Sequence, residues 1–388
     1  MIKVKAFCFI LVFSLCAAGA WAQTQVVPWW YSLARGQNLF RNGDYGQALM
    51  SFEDARRNRW AMFDQMERDF IDFLSLPEVR ILGDALDWVE IHANTHHHPA
   101  VRVALSELFF RVPRESLGNS ATMALQAIGG LREYPEAEFW IGEVFRVGGE
   151  FGLALAQYRR AYERRDLFQN RHFQIDLLYR MAEVLQLRQE YPEMEQVLLS
   201  IVYATDTLWS DAAAAGYAPI SVTIGQLQAE ASFAVQAMTR MLEESGPNSF
   251  LAFFRHVSPQ SEEAHRRLGF FYAERGRVAA LHHLMFAFLI QNSTILEELI
   301  RRQFDFTFTN LTDLAQEINR LPMLAAYAEE RQYFQTAFFL ADSLFRNGWL
   351  QPAMEIWAFL AATDQAGEWQ LRAISQLQNP TLEPVILE

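Results

Sequence analysis

The sequence predicts an all-α protein assembled from antiparallel helix pairs, and three observations predict it. Apolar residues recur at i, i+3 and i+4 along nearly the whole chain, as in QIDLLYRMAEVLQL (174–187) and ISVTIGQLQAEASFAVQAMTRMLEE (220–244). No stretch shows the period-two alternation of a half-buried strand. Turn residues interrupt the helical period at RNGD (41–44), HHHP (96–99), RVPRES (111–116), GYAP (216–219), SGPN (245–248) and NP (379–380). Finally, 388 residues with 51% hydrophobic content exceed what one compact core holds, so two domains or an extended repeat array are implied.

The first 22 residues read as a cleaved signal peptide. Lys3 and Lys5 precede the apolar run FCFILVFSLCAA, and Ala20-Trp21-Ala22 forms an A-x-A cleavage site. The expected location is periplasmic or secreted. Lipidation at Cys16 is the alternative, although Leu15 stands where a lipobox takes a small residue. Cys8 and Cys16 both lie in this leader, so the remaining chain has no thiol with which to form a disulfide or bind a metal. The net charge is −13, and removing the only two lysines makes it more negative. Such a balance argues against nucleic acid and anionic membrane surfaces as partners.

One arrangement of small and bulky residues then returns along the chain. Gly36 is followed by Tyr45, Ala48, Phe52 and Ala55, and Gly142 by Phe151, Ala154, Tyr158 and Ala161, at identical spacing. The same offsets select Gly269 with Val278, Leu281, Met285 and Phe288, and Ala341 with Leu350, Ala353, Trp357 and Leu360. A weaker copy is Ala182 with Tyr191, Met194, Leu198 and Ile201. Glycine within a helix costs about 1 kcal/mol relative to alanine, so its return at one register signals close helix approach. Tyr45 and Phe52 are expected to fill the space beside that contact.

This pattern resembles the tetratricopeptide repeat, a helix–turn–helix unit with a small residue midway along helix A and alanine early in helix B. The resemblance implies a right-handed α-solenoid. The family's early tryptophan and closing proline are missing from these units, and Gly142 to Ala182 exceeds the family period. HPAVRVALSELFF (98–110) with SATMALQAIGGL (120–131) could form a HEAT-like pair instead. The expected organisation is a leader (1–22), an N-terminal array (23–203), an insertion with connecting helices (204–260) and a C-terminal array (261–388). VVPWWYSL (26–33) is expected to cap the open end of the first repeat, and AALHHLMFAFLI (279–290) to be a buried helix B.

Motifs for catalysis are absent: there is no G-x-S-x-G, H-E-x-x-H, P-loop, G-x-G-x-x-G or C-x-x-C. His92 and His96 stand at zinc-ligand spacing. Pro99 follows closely and no acidic residue lies between 93 and 104, so the cluster with His97 and His98 reads as a solvated turn. His282 and His283 read as structural. No cofactor is expected.

The resemblance further implies a concave face lined by the first helices. Carried over residue by residue, it selects Trp30, Leu33, Gln37, Phe40 and Arg41, then Phe139, Glu143 and Arg146, and then Tyr179, Glu183 and Gln186. Arg266, Phe270 and Glu274 follow, and the last unit gives Phe338, Asp342, Phe345 and Arg346. Aromatic rings flanked by Arg or Glu suit recognition of a protein or peptide, although the same rings could pack against neighbouring helices. The expected role is a non-catalytic scaffold or adaptor of the cell envelope. The alternatives are an all-helical, carboxylate-dependent enzyme acting on cell-wall glycan and a lipid-anchored outer-membrane assembly subunit.

Overall fold

A computed structural model describes residues 27–74, 126, 128–170, 172–206 and 224–382. Among these the chain is helical, with no strand. It divides into two compact units, residues 1–180 and 181–388. The histidines at 92–98, the leader, the 98–125 part of the HEAT-like pair and residues 207–223 of the expected insertion segment lie outside the described residues.

The first unit contains α1 (Trp29–Arg41), α2 (Tyr45–Leu74), α3 (Pro135–Val147) and α4 (Phe151–Glu163), and the next helix, α5 (His172–Leu187), begins in it. Helix α1 packs on α2, α3 on both of them, and α4 on α3. The second unit contains α6 (Tyr191–Thr205), α7 (Ile224–Phe253), α8 (Glu262–Glu274), α9 (Ala279–Arg302), α10 (Leu311–Arg320), α11 (Pro322–Glu330), α12 (Tyr333–Arg346), α13 (Leu350–Ala361) and α14 (Glu368–Gln378). There α8 packs on α6 and α9, α12 on both α8 and α9, α13 on α12, and α14 on both α12 and α13. Helices α7 and α10 lie against α13 as additional cover. Helix α7 kinks at Gly246 (φ 78°, ψ 169°) before Pro247, where the SGPN punctuation falls.

Five turns share one geometry. The turns joining α1–α2, α3–α4, α5–α6, α8–α9 and α12–α13 place Gly43, Gly149, Gln189, Gly276 and Gly348 at φ of 82°, 78°, 61°, 62° and 88°. Each of these residues donates its N–H to the carbonyl three residues back, as Gly43 does to Phe40. The residue after it reaches five back, as Asp44 does to Leu39, and all ten bonds measure 2.9–3.1 Å. This left-handed cap satisfies carbonyls that the helix end leaves open and reverses the chain within three or four residues. Every one of the five residues lies seven positions after the recurring small residue Gly36, Gly142, Ala182, Gly269 or Ala341.

The small residues admit rings from the second helix. A methyl group built at Gly36 would lie 2.5 Å from Phe52 Cε1, and one at Gly142 would lie 2.5 Å from Tyr158 Cε1. Burying Phe52 completely is worth about 2–3 kcal/mol, which exceeds the glycine penalty. The last three recurring second-helix positions are core in every copy, with Ala48, Phe52, Ala55, Ala154, Tyr158, Ala161, Trp357 and Leu360 fully buried, whereas the first is not, Val278 and Leu350 being exposed. Gly269 differs in detail, because Leu284 rather than Met285 covers it. Tyr45 is a correction. It opens α2, is 39% exposed and rests edge-on against Phe40, so Phe52 alone fills the contact. Helix α9 also runs further than 279–290. By length and composition it could cross a membrane, but its most apolar stretch is 83% buried inside the fold.

Candidate functional site

The expected binding row divides into three groups by exposure. Arg41, Gln186, Glu274 and Arg346 are exposed; Trp30, Leu33, Gln37, Phe40, Arg146, Tyr179, Glu183, Arg266 and Phe345 are half-buried. Phe139, Glu143, Phe270, Phe338 and Asp342 are buried, which corrects their placement on an open face. Their rings join successive hairpins. Phe139 meets Phe173 at 5.6 Å, Phe270 meets Phe339 at 5.5 Å, and Phe338 lies 5.5 Å from Trp369 with the Arg372 guanidinium 4.6 Å away. Phe40 packs in the same way, edge-on to Trp140 at 5.4 Å. Phe345 turns to Trp357 at 5.7 Å. Trp30 meets Trp29 edge-on at 5.2 Å and belongs to the cluster that closes the start of α1.

The buried acids of the row are already engaged. Glu143 accepts a fork from Arg146, with Nε to Oε1 at 3.1 Å and Nη2 to Oε2 at 2.9 Å. Tyr158 Oη donates to the same carboxylate, and Arg180 Nε stands 3.5 Å off. Burial, reinforced by Glu143, raises the Tyr158 phenol far above its ordinary value, so it remains a donor. The first hairpin lacks this centre as a pair: Gln37 replaces the acid and Phe52 the tyrosine. In the last hairpin Arg346 reaches Asp342 at 3.4 Å. Glu143 and Asp342 thus hold arginines at the rim and are not open to a ligand.

The second unit holds a polar centre that periodicity does not reveal. Asp206, which ends α6, is fully buried. His256 Nε2 lies 2.8 Å from its Oδ2, His265 Nε2 3.2 Å, and Ser261 Oγ 3.3 Å. His265 Nδ1 faces His283 Nδ1 at 3.0 Å. Ser261 also joins Ser258 Oγ at 2.8 Å, and Ser258 donates to the Thr205 carbonyl. Burial alone would raise Asp206, but the hydrogen bonds from His256 and His265 outweigh it and hold the carboxyl well below its usual range. Both imidazoles spend Nε2 on Asp206, and Ser261 donates to the carboxylate directly. A nucleophile–base–acid relay needs the opposite order, with histidine between serine and aspartate. The centre ties α6 to the 254–261 loop and to α8.

An open cleft of about 310 Å³ between α9 and α11 carries Glu297 and Glu298 beside Ile295, Arg301, Met323, Leu324 and Tyr327. Adjacent residues on a helix do not face one another. Glu298 is clasped by Arg302 and Arg301, and the Arg302 hydrogen bond leads in lowering its carboxyl, which stays ionised. That shift is opposite in sign to the raised carboxyl that a glycoside-cleaving acid requires. Among the described residues, no three His, Cys, Asp or Glu side chains are arranged to hold a metal ion.

These features define a helical-hairpin protein with a hydrogen-bonded polar interior and with charged side chains at the exposed ends of the first helices. No family model matches the chain. It is 24% identical over 350 residues to an uncharacterized protein of Treponema pallidum (strain Nichols), spanning 90% of this chain and 89% of that one. The likeness thus extends over both units.

Proposed function

We propose that this is an exported, non-catalytic interaction protein of tetratricopeptide-like hairpins that binds a protein or peptide segment along its first helices. The observation that carries this reading is the five-fold recurrence of one left-handed turn, seven residues after a small residue and nine before a buried second-helix residue. Hairpin repeats of that kind work as binding surfaces, and function here is argued from fold analogy. The accessible chemistry is polar and mostly charged: Arg41 in the first unit, and Gln186, Glu274 and Arg346 in the second. Arginine forks at such positions suit carboxylates and backbone carbonyls. The signal peptide supports a periplasmic or secreted location.

The test is site-specific photocrosslinking in cells. A crosslinking residue is placed at position 37, 41, 274 or 346, or, as controls, at the exposed positions Arg159 and Arg164 on and after α4. One partner captured at the first set and missed at the controls supports the reading. Equal capture everywhere, or none at the first set, refutes it. Mass spectrometry of the mature N-terminus separates a soluble chain starting at Gln23 from one acylated at Cys16.

A further inference from the structure

We propose that the Asp206–His265–His283 chain is an acid-opened latch, and that loading both of its imidazoles with protons forces α9 off α8 where His283 meets His265. The argument begins with donors and acceptors. An ionised carboxylate only accepts, so His265 Nε2 carries the hydrogen directed at Asp206. Neutral His265 then offers a lone pair at Nδ1, and the 3.0 Å approach of His283 Nδ1 requires that ring to donate.

One added proton fits this arrangement. Taken up at His283 Nε2, it can be passed inward: His283 gives its Nδ1 hydrogen to His265 Nδ1 and keeps the new one on Nε2. His265 becomes the cation, paired with Asp206, and the bond between the rings reverses direction. A second proton does not fit. Both Nδ1 atoms would then be donors facing each other at 3.0 Å.

Charge compensation gives the same result. Asp206 supplies one negative charge to three imidazoles, because His256 from the 254–261 loop shares its Oδ2. Among the described residues, the remaining neighbours add no carboxylate against either ring. His282 lies next in α9, and the Tyr272 ring is 5.5 Å from His283. Tyr272 Oη donates to Glu195 of α6 at 2.7 Å, and Arg277 also reaches that carboxylate at 3.3 Å. Burial, with only partial offset from Asp206, lowers His265, and burial with the neighbouring histidines lowers His283 further. The closed latch therefore resists protons that an opened one accepts near pH 6.5. Closure is favoured above that value and weakens as the pH falls below it.

The experiment is backbone hydrogen exchange by mass spectrometry on the full chain between pH 7.5 and 5.0, corrected for intrinsic rates. The expected result is an opening equilibrium for peptides across 262–272 and 279–285 that rises more than tenfold per pH unit below 6.5. Peptides across 36–52 and 142–158 should not follow it. His283→Asn keeps an N–H donor for His265 and removes one titrating group, so its rise should fall to tenfold per unit or less. An unchanged opening equilibrium in the native chain, or the same steep rise in His283→Asn, overturns the proposal. If His283→Asn does not fold, imidazole C2-hydrogen exchange on the native protein decides. Midpoints for His265 and His283 clearly below 6.5 uphold the latch, and ordinary midpoints overturn it.

Discussion

Gly142→Ala should destabilise the first unit even though alanine is the better helix former. A Cβ at Gly142 would lie 2.5 Å from Cε1 and 2.7 Å from Cδ1 of Tyr158. Carbon atoms rest about 3.5–4.0 Å apart, so the ring or the helix has to retreat by roughly 1 Å. Tyr158 is fully buried and its hydroxyl is tied to Glu143, which leaves it no free path. Overpacking of this severity belongs at the upper end of its range, about 3 kcal/mol. The gain in helix propensity is about 1 kcal/mol, which leaves a net loss of about 2 kcal/mol. Gly46→Ala is the control, because that position opens α2 with nothing within 4 Å. There the propensity gain stands alone, and stability should rise by up to about 1 kcal/mol. Urea unfolding followed by circular dichroism compares the variants with the native chain. Adding Tyr158→Leu should relieve Gly142→Ala, so that the double variant is at least about 1 kcal/mol more stable than the summed single losses. The close-approach argument is wrong if Gly142→Ala matches or exceeds the native protein, or if the two glycines respond with the same sign.

Gln189 occupies the left-handed turn position that glycine fills in the other four turns, at φ 61°. Gln189→Gly should therefore stabilise by about 0.5–1 kcal/mol, read as a higher urea midpoint. Arg59 is buried, with its guanidinium 4.8 Å from Trp29 and 4.6 Å from Tyr134 and its Nε bonded to the Leu131 carbonyl at 2.8 Å. Arg59→Lys keeps the charge but loses the planar stacking, and should lower stability by about 2 kcal/mol in the same assay. Asp206→Asn should cost about 3 kcal/mol at pH 7.5, since His256, His265 and Ser261 lose a shared acceptor of full charge. The depressed Asp206 pKa contributes stability that is present above about pH 3.9 and lost below it. The difference between native and Asp206→Asn chains should consequently narrow only under strongly acidic conditions.

Legibility of the sequence varied with the distance over which a residue acts. The small residue, the buried second-helix set and the glycine turn all lie within about twenty residues of one another, where helical period and turn chemistry apply directly. Gly43 was readable in that sense, in the RNGD punctuation, whereas Gln189 was not, because a non-glycine residue stands there at a positive φ that local preference opposes. Phe139, Phe270 and Phe338 were visible as a recurring aromatic row but not as core. A face that joins one hairpin to the next has the composition of a face that meets a partner, and both repeat at the period of the unit. Exposure separates them, and exposure depends on the neighbouring hairpin. The polar centre lay beyond both kinds of signal. Asp206, His256, His265 and His283 come from the end of one helix, a loop and two further helices, and no spacing links them. The centre is nevertheless the more specific structure. An apolar packing site tolerates many side chains of suitable volume, whereas the chain from Asp206 to His283 works only if each ring nitrogen has the right partner in the right protonation state. The turns and small residues therefore define the hairpins, and the buried imidazoles set the pH range over which the second unit keeps its packing.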